Sequence, residues 1–194
     1  MGEEIIEDYK LFLDLVFKRS IRVALFIDAA HIHHSLPPDS KIDYFKMIDF
    51  LVDDRHFVRA FYYDGIYPEY KALEKEEYKQ KRENLLNFVK IFRGRKVIPR
   101  LLDLKFRGNR AIQKGVDVQI AIDMLMMAFQ NVYDVAILVS ADSDFAGVIR
   151  AVQSLGKLVE VAYFGNEGLS GELMDVADKL IDLSKHINFF KLEK

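Results

Sequence analysis

The sequence predicts a three-layer α/β/α domain built on a parallel sheet, on three observations. Five short runs rich in β-branched and aromatic residues recur along the chain. The first, fourth and fifth are apolar on both faces, as strands covered by helices on both sides must be. Between the runs lie stretches with helical spacing, and this alternation implies right-handed βαβ crossovers.

A leading helix is expected over Glu3–Phe17, with Ile6, Leu13 and Phe17 on roughly one face. That face is expected to pack on its own domain, a homodimer being the other option. The expected division is therefore a leading helix in residues 1–20 and a single domain in 21–194. Strand one is Ile21–Ile27 (IRVALFI), followed by a helix over Ile42–Val52. Strand two is Phe57–Tyr63 (FVRAFYY), and a long charged helix is expected over Glu69–Phe92. Strand three, Lys96–Leu102 (KVIPRLL), contains Pro99, which lacks a backbone donor and so suits an edge. The next helix, Lys114–Gln130, places apolar residues at Ile120, Met124, Met127 and Phe129. Strand four, Val135–Ser140 (VAILVS), leads to a helix over Phe145–Leu155 that stops at Gly156, a C′ glycine. Strand five is Leu158–Phe164 (LVEVAYF), and a last helix covers about Gly171–Leu180. No repeat or Pro/Gly/Ser linker points to a second domain.

The chain has 194 residues and no cysteine, which excludes a disulfide framework, a thiolate nucleophile, a zinc ribbon and an iron–sulfur cluster. No apolar run reaches the roughly 20 residues of a membrane span. Met1–Asp8 carries four acids and no base, opposite to a signal peptide. A soluble, cytoplasmic protein without a membrane partner is expected. The net charge of −2 excludes a binder that relies on bulk positive charge. That total conceals two opposed parts. Arg93–Lys114 holds eight bases against one acid, Asp103, a net +7 that leaves −9 for the rest.

Acids follow the apolar runs directly. Strand one ends in Asp28, strand two in Asp64, and strand four runs into Ser140-Ala141-Asp142-Ser143-Asp144. All should project from the carboxyl rim of the sheet, where ligands of open α/β folds gather. Asp117 sits near the start of the helix leading into strand four. Asp123, six residues on, lies about 120° away around that helix. Each acid alone could cap a helix or complement its dipole. Several on one rim repel one another, and a hard divalent cation, Mg²⁺ or Mn²⁺, resolves that repulsion. No Gly-rich phosphate loop competes. The basic segment Arg93–Lys114, with Arg100, Lys105, Arg107, Arg110 and Lys114 nearest Asp117, forms a lip suited to a polyanion. Phe106 either stacks on a base or packs in the core. His31, His33 and His34 have no cysteine to complete a zinc site, which favours capping or surface roles.

Three ordered segments carry a family resemblance. VALFIDAAHI (23–32), KGVDVQIAIDML (114–125) and YDVAILVSADSDF (133–145) resemble the motifs of NYN-domain proteins, a branch of the PIN-like nuclease superfamily. LGKLVEVAYF (155–164) resembles the closing strand, and the likeness spans roughly Ile21 to Leu183. It implies a five-stranded parallel sheet of order 3-2-1-4-5 and a divalent-metal ribonuclease. By that likeness Asp28, Asp117, Asp142 and Asp144 are the catalytic, metal-binding acids. His31, Asp64, Asp123 and Ser140 are second-tier members. Asp28-Ala29-Ala30-His31 departs from the usual Asp-Gly-x-Asn, and Ala141 stands where Gly is common. His31 could donate to phosphate, add a nitrogen ligand favouring Mn²⁺, or mark a site that has drifted from catalysis. The alternative to an enzyme is a non-catalytic RNA-binding or regulatory module, which would gain nothing from four repelling acids. An aspartyl-nucleophile phosphatase would want a second acid at Ala30.

Overall fold

The computed structural model describes residues 13–37, 40–108, 110–165 and 169–192. Residues 13–20 are helical, with Leu13 and Phe17 both exposed; the rest of the expected Glu3–Phe17 segment, Ile6 included, lies outside the described residues. Among the described residues no helix is long and apolar enough to cross a membrane.

Six strands form one sheet: β1 (Arg22–Asp28), β2 (His56–Ile66), β3 (Val97–Asp103), β6 (Val135–Val139), β7 (Leu158–Tyr163) and β8 (Lys179–Asp182). Their order is β3-β2-β1-β6-β7-β8, and every neighbouring pair is parallel. The five expected strands and their relative order are present, but the expected count of five is corrected to six. The expected helix Gly171–Leu180 ends at Val176, and the chain then pairs with β7 as β8. A side-chain lock fixes this change. Asp178 accepts from the Val159 amide at 2.6 Å, while its own amide donates to the Val159 carbonyl at 2.9 Å. A four-residue strand directly after a six-residue helix carries too little periodicity to separate the two.

Alternation along β1 divides the interior into two cores. Val23, Leu25 and Ile27 face helices Tyr44–Val52 and Glu76–Val89. Ala24 and Phe26 face helices Val116–Phe129 and Ala146–Ser154. Asp28, the next residue of the second parity, therefore projects toward the helix that carries Asp117. Asp43 caps Tyr44–Val52 by accepting from the Phe45 amide at 3.0 Å. The expected Glu69–Phe92 helix is three pieces: Glu69–Ala72, Glu76–Val89 and a 3₁₀ turn at Lys90–Phe92. Lys75 adopts an extended conformation between the first two, and the Tyr78 ring then stacks on Tyr67 at 4.7 Å between centroids. No Gly or Pro in 69–92 announces this break.

β3 is an edge strand, as Pro99 suggests. The Lys96 carbonyl accepts from the Ala60 amide, so residues 96, 98 and 100 turn their backbone toward β2. Pro99 then stands at an outward position, where a missing N–H costs nothing. After β3 comes an antiparallel hairpin, β4 (Lys105–Arg107) and β5 (Arg110–Ile112), that was not expected. Its base docks on β2 because Gly65 has no side chain: a Cβ there would meet Leu104 Cδ2 at 2.5 Å. Helix Val116–Phe129 buries Val116, Ile120, Met124 and Ala128. Its other side exposes Val118, Ile122, Met126 and Phe129, the last 76% exposed although its spacing suggested burial. Beneath the opposite face, Arg55 pairs with Glu160 at 2.7 Å and also donates to the Leu51 and Val52 carbonyls.

Candidate functional site

The site forms where β1 and β6 end side by side. Asp28 is the last residue of β1 and is 6% exposed. One carboxylate oxygen, Oδ1, accepts from the Ala30 amide at 3.0 Å and the His31 amide at 3.5 Å, capping helix Ala29–Ser35. The other, Oδ2, accepts from Ser140 Oγ at 3.2 Å. Ser140, just past β6, in turn accepts from the Asp142 amide at 3.3 Å. Asp142 Oδ1 accepts from the Asp144 amide at 3.0 Å, capping the 3₁₀ turn Ser143–Phe145. The capping roles and the converging rim are thus both present.

Asp117 enters from the first turn of helix Val116–Phe129, whose start at Gly115 uses a left-handed φ of 91°. It is exposed and makes no hydrogen bond or ion pair with any described residue. Burial raises the Asp28 carboxyl above its usual range, and the neighbouring Asp117 adds to that rise. Asp117 is raised as well, by partial burial first and then by Asp142 and Asp144. The four acids therefore share one electrostatic field with Asp117 at its centre. Asp28, Asp117 and Asp142 line a cleft of about 830 Å³ together with Gln113, His34 and Phe164.

Of the remaining second-tier residues, His31 lines the cleft, while Asp64 and Asp123 do not. β2 continues past Asp64 to Ile66, and Asp64 shares the parity of Tyr62, which puts it on the other face from Asp28. There it accepts from Tyr62 Oη at 3.1 Å and the Gly65 amide at 2.7 Å, with His33 Nε2 at 3.6 Å. Asp123 lies on the site face but is engaged by Tyr63 Oη at 2.8 Å, Gln119 at 3.0 Å and Arg100 Nε at 3.5 Å. His31 lines the cleft wall, yet its Nε2 accepts from the Phe164 amide at 3.2 Å. Its proton therefore sits on Nδ1, facing Ser35 Oγ at 3.4 Å. Burial, aided by His34, pushes His31 down to about 4, so the ring is neutral at physiological pH. His34 donates to the Ala30 carbonyl at 2.6 Å; the three histidines point in three directions.

The lip is the β4–β5 hairpin. Lys105, Arg107 and Arg110 are exposed, and Arg107 stands directly across from Arg110. Like charges so placed oppose pairing and are relieved by a bound anion. Phe106, of the other parity, packs against Tyr78 and Tyr67 beneath Lys71, so it serves the core. Lys114 is exposed between hairpin and helix, while Arg100 lies over the Phe61 ring at 5.6 Å. Gln113, Phe164 and Gly165 line the cleft without any sequence signal beyond adjacency.

The donor set suits a hard divalent cation: oxygen ligands, one partnerless acid and mutual repulsion. As the side chains are placed, no three His, Asp or Glu among the described residues enclose a common point.

A doubly covered parallel sheet with acids at the ends of its two central strands defines an open α/β domain with its candidate site at the carboxyl rim. The NYN domain model matches residues 22–184, and the chain belongs to that family within the PIN-like nuclease superfamily. In solved structures, a protein of unknown function from Vibrio parahaemolyticus shares the fold at a TM-score of 0.62 and 23% identity. The match covers 90% of this chain and 98% of that one. No curated protein matches the sequence.

Proposed function

We propose that the protein is a divalent-metal-dependent ribonuclease that hydrolyses RNA phosphodiester bonds at the Asp28 rim. The observation that carries this reading is Asp117: an exposed acid with no partner, held beside three other acids at a cost in electrostatic energy. Asp28 and Asp142 cap helical turns and Asp117 lies in the first turn of its helix, but the repulsion among the four is resolved by a cation site.

Asp28, Asp117, Asp142 and Asp144 would hold Mg²⁺ or Mn²⁺. When bound, the metal supplies an activated water and neutralises charge developing on the phosphate. Ser140 fixes the Asp28 carboxylate through Oδ2 and is itself fixed by the Asp142 amide, so the two strand ends hold one geometry. The hairpin bases Lys105, Arg107 and Arg110, with Lys114, attract the phosphate backbone that the acids alone would repel. Arg100, tied to Asp123, contributes less free charge. His31 is a wall of the cleft and an anchor for Phe164, with no nitrogen free to ligate as placed.

The reading is tested with purified full-length protein, Mn²⁺ and single-stranded RNA. Wild type is expected to cleave, and Asp117→Asn to lose cleavage with an unfolding midpoint no lower than that of wild type, since its side chain bonds to nothing described and the substitution removes a repelled charge. Equal cleavage by both proteins would refute it. The second reading, an RNA-binding module without turnover, is supported by the acids not closing on one point; RNA binding without Asp117-dependent cleavage would favour it.

A further inference from the structure

The basic stretch of the sequence does not form one patch. β3 runs through it, and at about 3.3 Å per residue its seven residues hold the two halves about 20 Å apart. The hairpin bases lie beyond the carboxyl end of β3, beside the cleft. Arg93, Arg95 and Lys96 lie before its amino end, at the opposite end of the sheet.

There, with Arg59 and Lys90, they line a groove of about 850 Å³ in which Glu83 is the one acid. Its apolar floor includes Leu86, Ile98 and Pro99. None of the five bases forms an ion pair with a described residue. Lys90 donates to Asn87 Oδ1 at 2.7 Å, Lys96 donates to the Phe57 carbonyl at 3.1 Å, and Arg95 lies over the Phe45 ring at 4.9 Å. The side chains of Arg59 and Arg93 are exposed and bond to nothing described. The turn that groups these charges is itself strained: Lys96 sits at φ 42°, a left-handed conformation costly for a residue with a Cβ. Between the two clusters stands Arg100 on β3, whose partner across the strands, Tyr63, shares the parity of Arg59, so Arg59 and Arg100 lie on one face; Lys96 and Arg95 turn to the other face, over Phe57 and Phe45. Along the free edge of the sheet, Arg100 is thus the one base between the groove and the hairpin, on the face that Arg59 shares.

We infer that this groove is a second subsite for the phosphate backbone of single-stranded RNA, engaging a strand whose other part lies over the carboxylate cleft. The inference rests on the ribonuclease reading for the identity of the strand. A basic track with an apolar floor is the surface that suits a single strand, whose bases have faces to lay down. At the stacked rise of about 3.4 Å per phosphate, 20 Å spans about six nucleotides, and fewer where the strand is extended. A stacked tetranucleotide in the cleft falls short of the groove; a strand of fifteen reaches it.

The test uses the full chain and the double variant Arg59→Gln/Arg93→Gln, neither position having a partner whose loss would disturb the fold. Binding of a fifteen-nucleotide oligouridine is measured by fluorescence anisotropy in chelator over a salt series, and cleavage of that RNA and of a tetranucleotide is measured with Mn²⁺. Two lost phosphate contacts flatten the slope of log K against log salt by about 1.4, which corresponds to about 25-fold weaker binding at 0.1 M salt relative to 1 M. The kcat/KM for the tetranucleotide is expected to stay at the wild-type value. Unchanged binding and slope for the long RNA, or equal losses on both lengths, would overturn the subsite. An equal loss for a duplex of the same length would overturn its assignment to a single strand. The two readings fail separately. Groove-dependent binding without Asp117-dependent cleavage leaves the subsite and removes the nuclease, whereas Asp117-dependent cleavage with no effect of the double variant does the reverse.

Discussion

Replacing Asp28 in two ways separates its two roles. Asp28→Ala removes the cap of helix Ala29–Ser35, worth about 1 kcal/mol, and leaves the Ser140 hydroxyl without its acceptor, at about 1 kcal/mol more. Relief of the buried charge offsets part of this, so a net loss of about 1–2 kcal/mol is expected, at about 2–4 °C in unfolding midpoint per kcal/mol for a chain of this size. Asp28→Asn keeps an oxygen for the Ala30 amide and offers its own N–H to Ser140, while removing a desolvated charge beside Asp117. It should be at least as stable as wild type, yet both variants should lose cleavage with Mn²⁺. The sign of the pH dependence follows from the raised carboxyl. Ionisation costs more in the folded chain than in the unfolded one, so this group lowers stability as pH rises above the unfolded value of about 3.9. The Asn advantage should be absent below that pH and grow above it. Thermal unfolding across pH 3–7 and an RNA cleavage assay decide the matter. Wild-type cleavage by Asp28→Asn, or an Ala variant as stable as the Asn one, would refute this account.

Other expectations follow from the same geometry. Ser140→Ala should cost about 1–2 kcal/mol and raise the Asp28 carboxyl further by removing a donor, read by thermal unfolding and carbon NMR titration. Arg55→Met strands the buried Glu160 and should cost about 3–5 kcal/mol in urea unfolding, while Arg55→Met/Glu160→Leu should recover most of it. The ring protons of His31 should titrate near 4; an NMR midpoint near 6.5 would contradict its burial against Phe164. Arg107→Gln/Arg110→Gln should flatten the salt dependence of RNA binding by about 1.4, and an unchanged slope would place the substrate elsewhere.

What could be read from the sequence was set by local chemistry. The central strands were legible because residues buried on both faces leave continuous apolar runs, and the edge position of β3 because Pro99 has no N–H to give. Asp28 and Asp142 were legible for the same reason: each directly follows such a run. The hairpin had a signal, the Gly108-Asn109 dipeptide between two short runs, but three-residue strands fall below the length at which alternation reads. β8 depends on Asp178 reaching Val159, a contact nineteen residues away in sequence that no local pattern contains. The placement of Asp64 turned on parity. One residue separates it from Tyr63, and that is enough to move a side chain through the sheet. Which acids stay unpaired was also illegible, since Asp123 finds Tyr63 and Arg100 only once β2 and β3 lie beside its helix.

The two edges of the sheet constrain how copies of this chain can meet. β8 is four residues long and begins with Lys179, and β3 presents Pro99 among its outward backbone positions, so neither offers the long, unpaired template that strand addition needs. The sheet is closed to growth by its own margins. Self-association, where it occurs, must run through side chains rather than backbone ladders. Val118, Ile122, Met126 and Phe129 form an exposed apolar ridge of side chains, on the same helix that carries Asp117. Anything that settles on that ridge touches the scaffold of the carboxylate rim.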